Sequence, residues 1–181
     1  AGIDSEMIVE RTATDDLTVH SRSRLPNGIS SIARFGLDRL LARGRANFST
    51  GLVPSRAHRQ LASKSIDVVH THWVGDGFLS IRDIANVDPP LVWTLHDMWP
   101  VTGGCHYPDG CSRYQDACGQ CPVLNSNSES DLSTHIHEQK RREWKDVGFH
   151  LVAPSEWIAQ LARDTGVVSN PDVTVIPNGI D

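Results

Sequence analysis

The chain has 181 residues, 39% hydrophobic and 22% charged, with a net charge of −5. That is enough for one domain with a real core, and it excludes a disordered tail, a coiled coil and a generic nucleic-acid binder. Scattered glycine and proline exclude a collagen-like chain, and no run approaches the roughly 18 apolar residues of a membrane span.

Charge is placed unevenly. Residues 1–19 carry one Arg against five acids, residues 20–64 carry eight Arg and one Lys against Asp38, and residues 65–181 carry seven basic against sixteen acidic side chains. A basic segment of this kind suits an anionic lipid or phosphate surface, or simply a solvated helix face.

The chain opens as if in the middle of a domain, with a turn at 1–4 and a short strand at 6–10. Ile29, Ile32, Ala33, Leu37, Leu40 and Leu41 then fall at helical spacing, with Arg34, Arg39, Arg43 and Arg45 on or beside the polar face. This predicts a basic amphipathic helix that packs on a sheet or rests on a membrane. Short β-branched runs at 66–70, 91–95, 149–153 and 173–176 predict buried strands. Helical stretches at 77–86, 129–147 and 155–164 separate them. The alternation predicts one parallel sheet, the 6–10 strand included, covered by helices on both faces. Segment 100–128 fits neither period and reads as an insertion.

Ligands of open parallel sheets bind beyond the carboxyl ends of the strands. The predicted strands end in His70-Thr71-His72, His96-Asp97, Pro154-Ser155 and Pro177-Asn178-Gly179. His70 and His72 share a face and can contact a sugar, bind a metal or satisfy backbone groups. His96 can donate to a ligand hydroxyl or phosphate, and Asp97 can orient it, accept a proton, or serve as a turn residue. Ser155 reads as the N-cap of a helix whose N-terminus favours an anion.

Cys105, Cys111, Cys118 and Cys121 all lie in the insertion, with a knuckle-like Cys118-Gly119-Gln120-Cys121-Pro122. So short a segment cannot build its own core, so a cross-link is expected. Structural zinc on four thiolates is the first reading, with His106 able to substitute. Two disulfides are the second, and free thiols the third.

Taken together, Asp67-Val68-Val69-His70-Thr71-His72-Trp73, Thr94-Leu95-His96-Asp97-Met98-Trp99-Pro100, Val152-Ala153-Pro154-Ser155 and Val175-Ile176-Pro177-Asn178-Gly179-Ile180-Asp181 resemble the amino-terminal half of family 4 glycosyltransferases of the two-domain GT-B fold. The cysteine segment is similar to an insertion in a subgroup linked to colanic-acid-like exopolysaccharide synthesis. The resemblance covers most of 60–181. It implies a Rossmann-like, acceptor-side domain over 1–176, with 177–181 starting the crossing to a donor-binding domain. It also implies retaining sugar transfer from a nucleotide-sugar to a saccharide or lipid-linked acceptor, in the cytoplasm and peripheral on the inner membrane face through 29–45. His96 matches the histidine that contacts the donor sugar, His70 and His72 match positions near the acceptor, and Asn178-Gly179 match the crossing. The family's first strand, its glycine-rich loop and the donor domain have no counterpart here, so the chain is expected to be a fragment, inactive alone. Two rival readings are a metal-dependent hydrolase using His70, His72, His96 and Asp97, and a non-catalytic zinc-knuckle binding module. A barrel hydrolase usually needs about 250 residues.

Overall fold

The computed structural model describes residues 2–21, 31–55, 57–62 and 65–179. Ile29 of the basic helix and the end of the crossing at 180–181 lie outside them. Four strands, β3 (Val69–Thr71), β4 (Leu91–Thr94), β5 (Phe149–Ala153) and β6 (Asp172–Val175), form one all-parallel sheet in sequential order. These are the four β-branched runs; three lie within one residue of their expected limits, and β3 starts three residues later than expected.

The expectation for 6–10 needs correction. Met7–Val9 is a strand, β1, but it pairs in parallel with β2 (Val19–Ser21) in a separate two-stranded sheet. β2 has no apolar run to announce it. It is seeded by the turn before it, where Asp16 accepts from the Thr18 amide and hydroxyl at 2.9 and 2.8 Å.

Helices follow α1 (Ser31–Leu41), α2 (His58–Ala62), α3 (Ile81–Ala85), α4 (Leu132–Glu143) and α5 (Glu156–Arg163). Their starts are written in the sequence. Ser80 and Asp83 close a reciprocal capping box on α3, Asp131 accepts from Ser133 and Thr134 amides on α4, and Ser155 caps α5.

The core lies on the sheet face that carries Leu91, Trp93, Phe149 and Leu151. Trp93, Trp99, Trp144 and Phe149 pack with neighbouring ring centres 5.4 to 6.1 Å apart. Each buried indole N–H finds a carbonyl: Trp93 that of His72, Trp99 that of Ser49, Trp144 that of Ile81, at 2.8 to 2.9 Å. The aromatic core thereby ties β4 and α4 to the loops at the sheet's carboxyl edge. Replacing Trp144 by Ala costs about 3–5 kcal/mol. Val92, Thr94, His150 and Val152 on the other face are only half-buried, so cover is less complete there than expected.

α1 does not pack on the sheet through its apolar stripe, and Arg34, expected on or beside the polar face, is buried. Arg34, Asp38 and Ala42, spaced by four, form the buried row. The reason is local. Asp38 accepts from the Thr50 and Gly51 amides at 3.0 and 3.1 Å and from the Thr50 hydroxyl, and Arg34 Nε donates to the Gly77 carbonyl at 3.2 Å. Gly77 lets the helix backbone in, because a Cβ there would sit 3.1 Å from the Arg34 carbonyl. Polar demand at 50–51 and 77 overrides the apolar stripe, which faces outward.

Candidate functional site

At the carboxyl edge of β3 and β4 the structure brings three of the expected residues together. His72 Nδ1 lies 2.9 Å from His96 Nε2, so one ring donates its N–H to the bare nitrogen of the other. The rings are 5.2 Å apart and stacked. His70 lies 4.3 Å from His72, centre to centre, and its Nε2 is 2.8 Å from Thr94 Oγ1. All three imidazoles are exposed. The parallel register His70↔Val92 explains the row, because it sets the ends of β3 and β4 level. Partial burial, then the neighbouring His70 and His96, hold the His72 pKa below its ordinary value. A row of exposed imidazoles offering ring N–H and N positions suits sugar hydroxyls.

Asp97 does not join that row, which corrects its assignment as a cleft-side acid. Its carboxylate is buried, accepting from the Trp99 amide at 3.0 Å and facing His106 Nδ1 at 2.5 Å. His106 Nε2 lies 2.9 Å from Ser49 Oγ. The spacing is that of a serine nucleophile, its histidine base and an orienting carboxylate. Ser49 is 0% exposed, however, so no substrate reaches it. The array is a clamp. It is reinforced where 47–49 runs against 104–106, with Ser49 N bonded to Gly104 O and His106 N to Asn47 O. Gly75 makes room for it, since a Cβ there would sit 2.9 Å from His106 Cε1 and 3.1 Å from Ser49 Oγ. Exposed Trp73 stacks on His106 at 5.7 Å. Ser49 carries no signal in the sequence, and His106 reads there only as a spare metal ligand.

Ser155 is exposed but occupied as the α5 cap, accepting from the Ile158 amide at 3.4 Å. Asn178 and Gly179 follow β6 as exposed, irregular chain.

The four cysteines form no disulfide. All four line one cavity of about 20 Å³, together with Gly103 and Gly119, room for a single small occupant. Cys118, Gly119 and Gln120 all have positive φ, the sharp turn of a knuckle. The Gly103 amide faces the Cys118 sulfur, and the Leu124 and Val123 amides face that of Cys121. Burial pushes the Cys105 thiol up to about 11 and the Cys118 thiol up to about 12. Among the described residues, no three His, Cys, Asp or Glu are gathered as a metal-ligand set. The four cysteines thus line one cavity but are not gathered into the ligand set that the zinc reading expects. The same finding removes the geometric basis of the hydrolase reading, whose Asp97 also points away.

The family model described as Glycosyltransferase Family 4 matches residues 16–181. A relative in Escherichia coli (strain K12), WcaC, is named for a glycosyl transferase of colanic acid biosynthesis. It is 30% identical over an alignment of 128 residues, with 63% of this chain and 31% of WcaC covered. The chain thus spans about a third of that relative's length. No solved structure matches.

Proposed function

Because the chain belongs to Glycosyltransferase Family 4, we propose that it is the acceptor-side part of a retaining glycosyltransferase of polysaccharide biosynthesis. The donor is a nucleotide-sugar and the acceptor a saccharide or a lipid-linked saccharide. The observation that carries this reading is the paired His72 and His96 at the level ends of two parallel strands. In it, His96 donates to a hydroxyl of the donor sugar, while His70 and His72 contact the acceptor. Asp97 acts as a positioning residue: through His106 and Trp99 it fixes the turn that follows His96. Residues 1–176 form the acceptor-side domain, and Asn178-Gly179 lead into the crossing. Ser155, at the start of α5, lies at the substrate edge. The test is transfer from a panel of nucleotide-sugars by the full-length enzyme, with His96→Ala against wild type. Wild-type rates in the variant would make His96 a structural residue.

The finer reading concerns place and metal. The enzyme works in the cytoplasm, held on an anionic inner leaflet by the segment 29–45. Support comes from α1, where Ile32 and Leu40 are 67% and 73% exposed beside Arg39 and Arg43. Among the described residues no helix is long and apolar enough to cross a membrane, so this contact is peripheral. In this reading Cys105, Cys111, Cys118 and Cys121, which are not gathered as a ligand set in the structure, turn together to hold one structural zinc. The shared cavity and the amides aimed at two sulfurs support it, because those amides favour thiolates that a buried, metal-free pocket disfavours.

A further inference from the structure

Trp73 follows His72 directly, and its side chain is half open to solvent, at 49% exposed, yet it is held in place. Its indole stacks on His106, ring centres 5.7 Å apart and planes 29° apart. His106 is fixed in turn by Asp97 at Nδ1 and by Ser49 at Nε2. Gly75 leaves the room for this: a Cβ there would sit 2.9 Å from Cζ2 of Trp73 and 2.9 Å from Cε1 of His106. Tyr107, the residue after His106, is 51% exposed and donates its hydroxyl to the His96 carbonyl at 3.4 Å. Each half of the His72–His96 pair therefore has an exposed aromatic ring tied to it, one by the chain and one by a hydrogen bond.

We propose that Trp73 is the stacking platform for a pyranose ring of the acceptor, with the Asp97–His106–Ser49 clamp as its fixed floor. This rests on the acceptor-side reading given above. A pyranose carries hydroxyls at its rim and C–H groups on its faces. The C–H groups suit the electron-rich face of an indole, and the rim hydroxyls suit the imidazoles beside it. Sites for small ligands are built in this way, from apolar aromatic surface with a few placed polar groups. A ring already held on His106 loses little freedom when the sugar arrives. An aromatic contact is worth about 2- to 12-fold in affinity beyond the area it buries. The rival role is packing alone, in which Trp73 covers the clamp and touches no ligand. Leu at 73 keeps apolar cover without a π face, and Phe keeps a π face.

The experiment uses the full-length enzyme and three probes, the methyl β-glucopyranoside, β-galactopyranoside and α-mannopyranoside, with binding read by saturation-transfer NMR. Wild type is expected to bind at least one of them through its ring C–H protons, and the Trp73 indole N–H resonance should shift as it binds. Trp73→Leu should bind about 2- to 12-fold more weakly, and Trp73→Phe should keep most of the affinity. Gly75→Ala, which retains the indole but displaces it, should weaken binding as well. Should Trp73→Leu fail to fold, the wild-type indole shift decides. Equal binding by Trp73→Leu, an indole resonance that ignores the sugars, or a wild type that binds none of them overturns the platform. Consumption of nucleotide-sugars by the wild type tests the glycosyltransferase reading separately. An enzyme that consumes donor while its pyranoside binding ignores Trp73 keeps that reading and loses the platform. One that consumes no donor while its pyranoside binding depends on Trp73 keeps the platform and loses the reading.

Discussion

His72 and His96 share a ring-to-ring hydrogen bond of 2.9 Å across two parallel strands, and this ties the carboxyl end of β3 to that of β4. A second proton on the pair would put two positive rings in contact. Burial, followed by His70 and His96, accordingly lowers the His72 pKa from 6.5. On acidification the unfolded chain protonates here first. The stabilisation is therefore complete above about pH 6.5 and is lost as pH falls through the lower folded value. Imidazole proton NMR should place the His72 midpoint below 6.5, and His96→Ala should raise it. A midpoint at or above the ordinary value in the wild type would contradict the pairing.

Asp83 offers a second pH test, remote from the histidine row. Burial alone would raise its carboxyl. Donors from Ser80, from the Ser55 amide and hydroxyl, and from His58 outweigh burial and hold it at about 2, down from 3.8. A depressed acid stabilises the fold above its unfolded value, and that stability is lost between about pH 3.8 and pH 2. The shift corresponds to about 2 kcal/mol. Urea unfolding of Asp83→Asn at pH 7 should show a loss of that order, and the difference from wild type should shrink as pH falls towards 2. A difference that stays constant with pH would assign the loss to packing.

The outward stripe of α1 makes its own prediction. Arg39 and Arg43 should draw the protein to anionic vesicles, with a salt dependence set by screening over roughly 8 Å at physiological ionic strength. Ile32 and Leu40 should then hold it there, each worth about 1.5–3 kcal/mol when buried. In vesicle sedimentation, Ile32→Glu with Leu40→Glu should weaken binding at least tenfold. Arg39→Glu with Arg43→Glu should flatten the salt dependence. Wild-type protein that ignores anionic vesicles would assign the stripe to a protein contact.

The main sheet was legible because β-branched runs bounded by polar or Pro/Gly positions carry their own signal, and His70, His72 and His96 became visible with it as strand-end residues. β2 was not legible, since Val19–Ser21 is held by a turn and a partner strand rather than by an apolar pattern. The orientation of α1 was left open for a related reason: the helical period locates the apolar stripe but does not say that Asp38 is wanted inside by the amides of Thr50 and Gly51. Asp97 misled because a residue one step past a strand can turn either way. Its partner His106 lies 9 positions away in the chain, and Ser49, which pairs with the other nitrogen of His106, lies 48 away, and no local rule joins them. The buried Lys140 was invisible for the same cause, because on the helix pattern it is one basic residue among Arg141 and Arg142.

That turn separates two neighbours whose replacement should have opposite consequences. Asp97→Ala leaves the buried His106 nitrogen and the Trp99 amide without their acceptor. An unpaired buried donor costs about 1–3 kcal/mol, so the two together should lower stability by about 2–6 kcal/mol in urea unfolding of the full-length enzyme. Asp97→Asn, which still offers one carbonyl oxygen, should lose less. His96 is exposed, and its replacement by Ala should change stability by no more than about 0.5 kcal/mol. Transfer should nonetheless fall by roughly 10²–10³, the usual effect of removing one donor that acts in the transition state. Stability and turnover measured side by side on the two variants decide the assignment. Should Asp97→Ala retain full stability and lose only turnover, Asp97 would be the cleft-side acid after all, and the buried clamp with His106 would be the mistaken part.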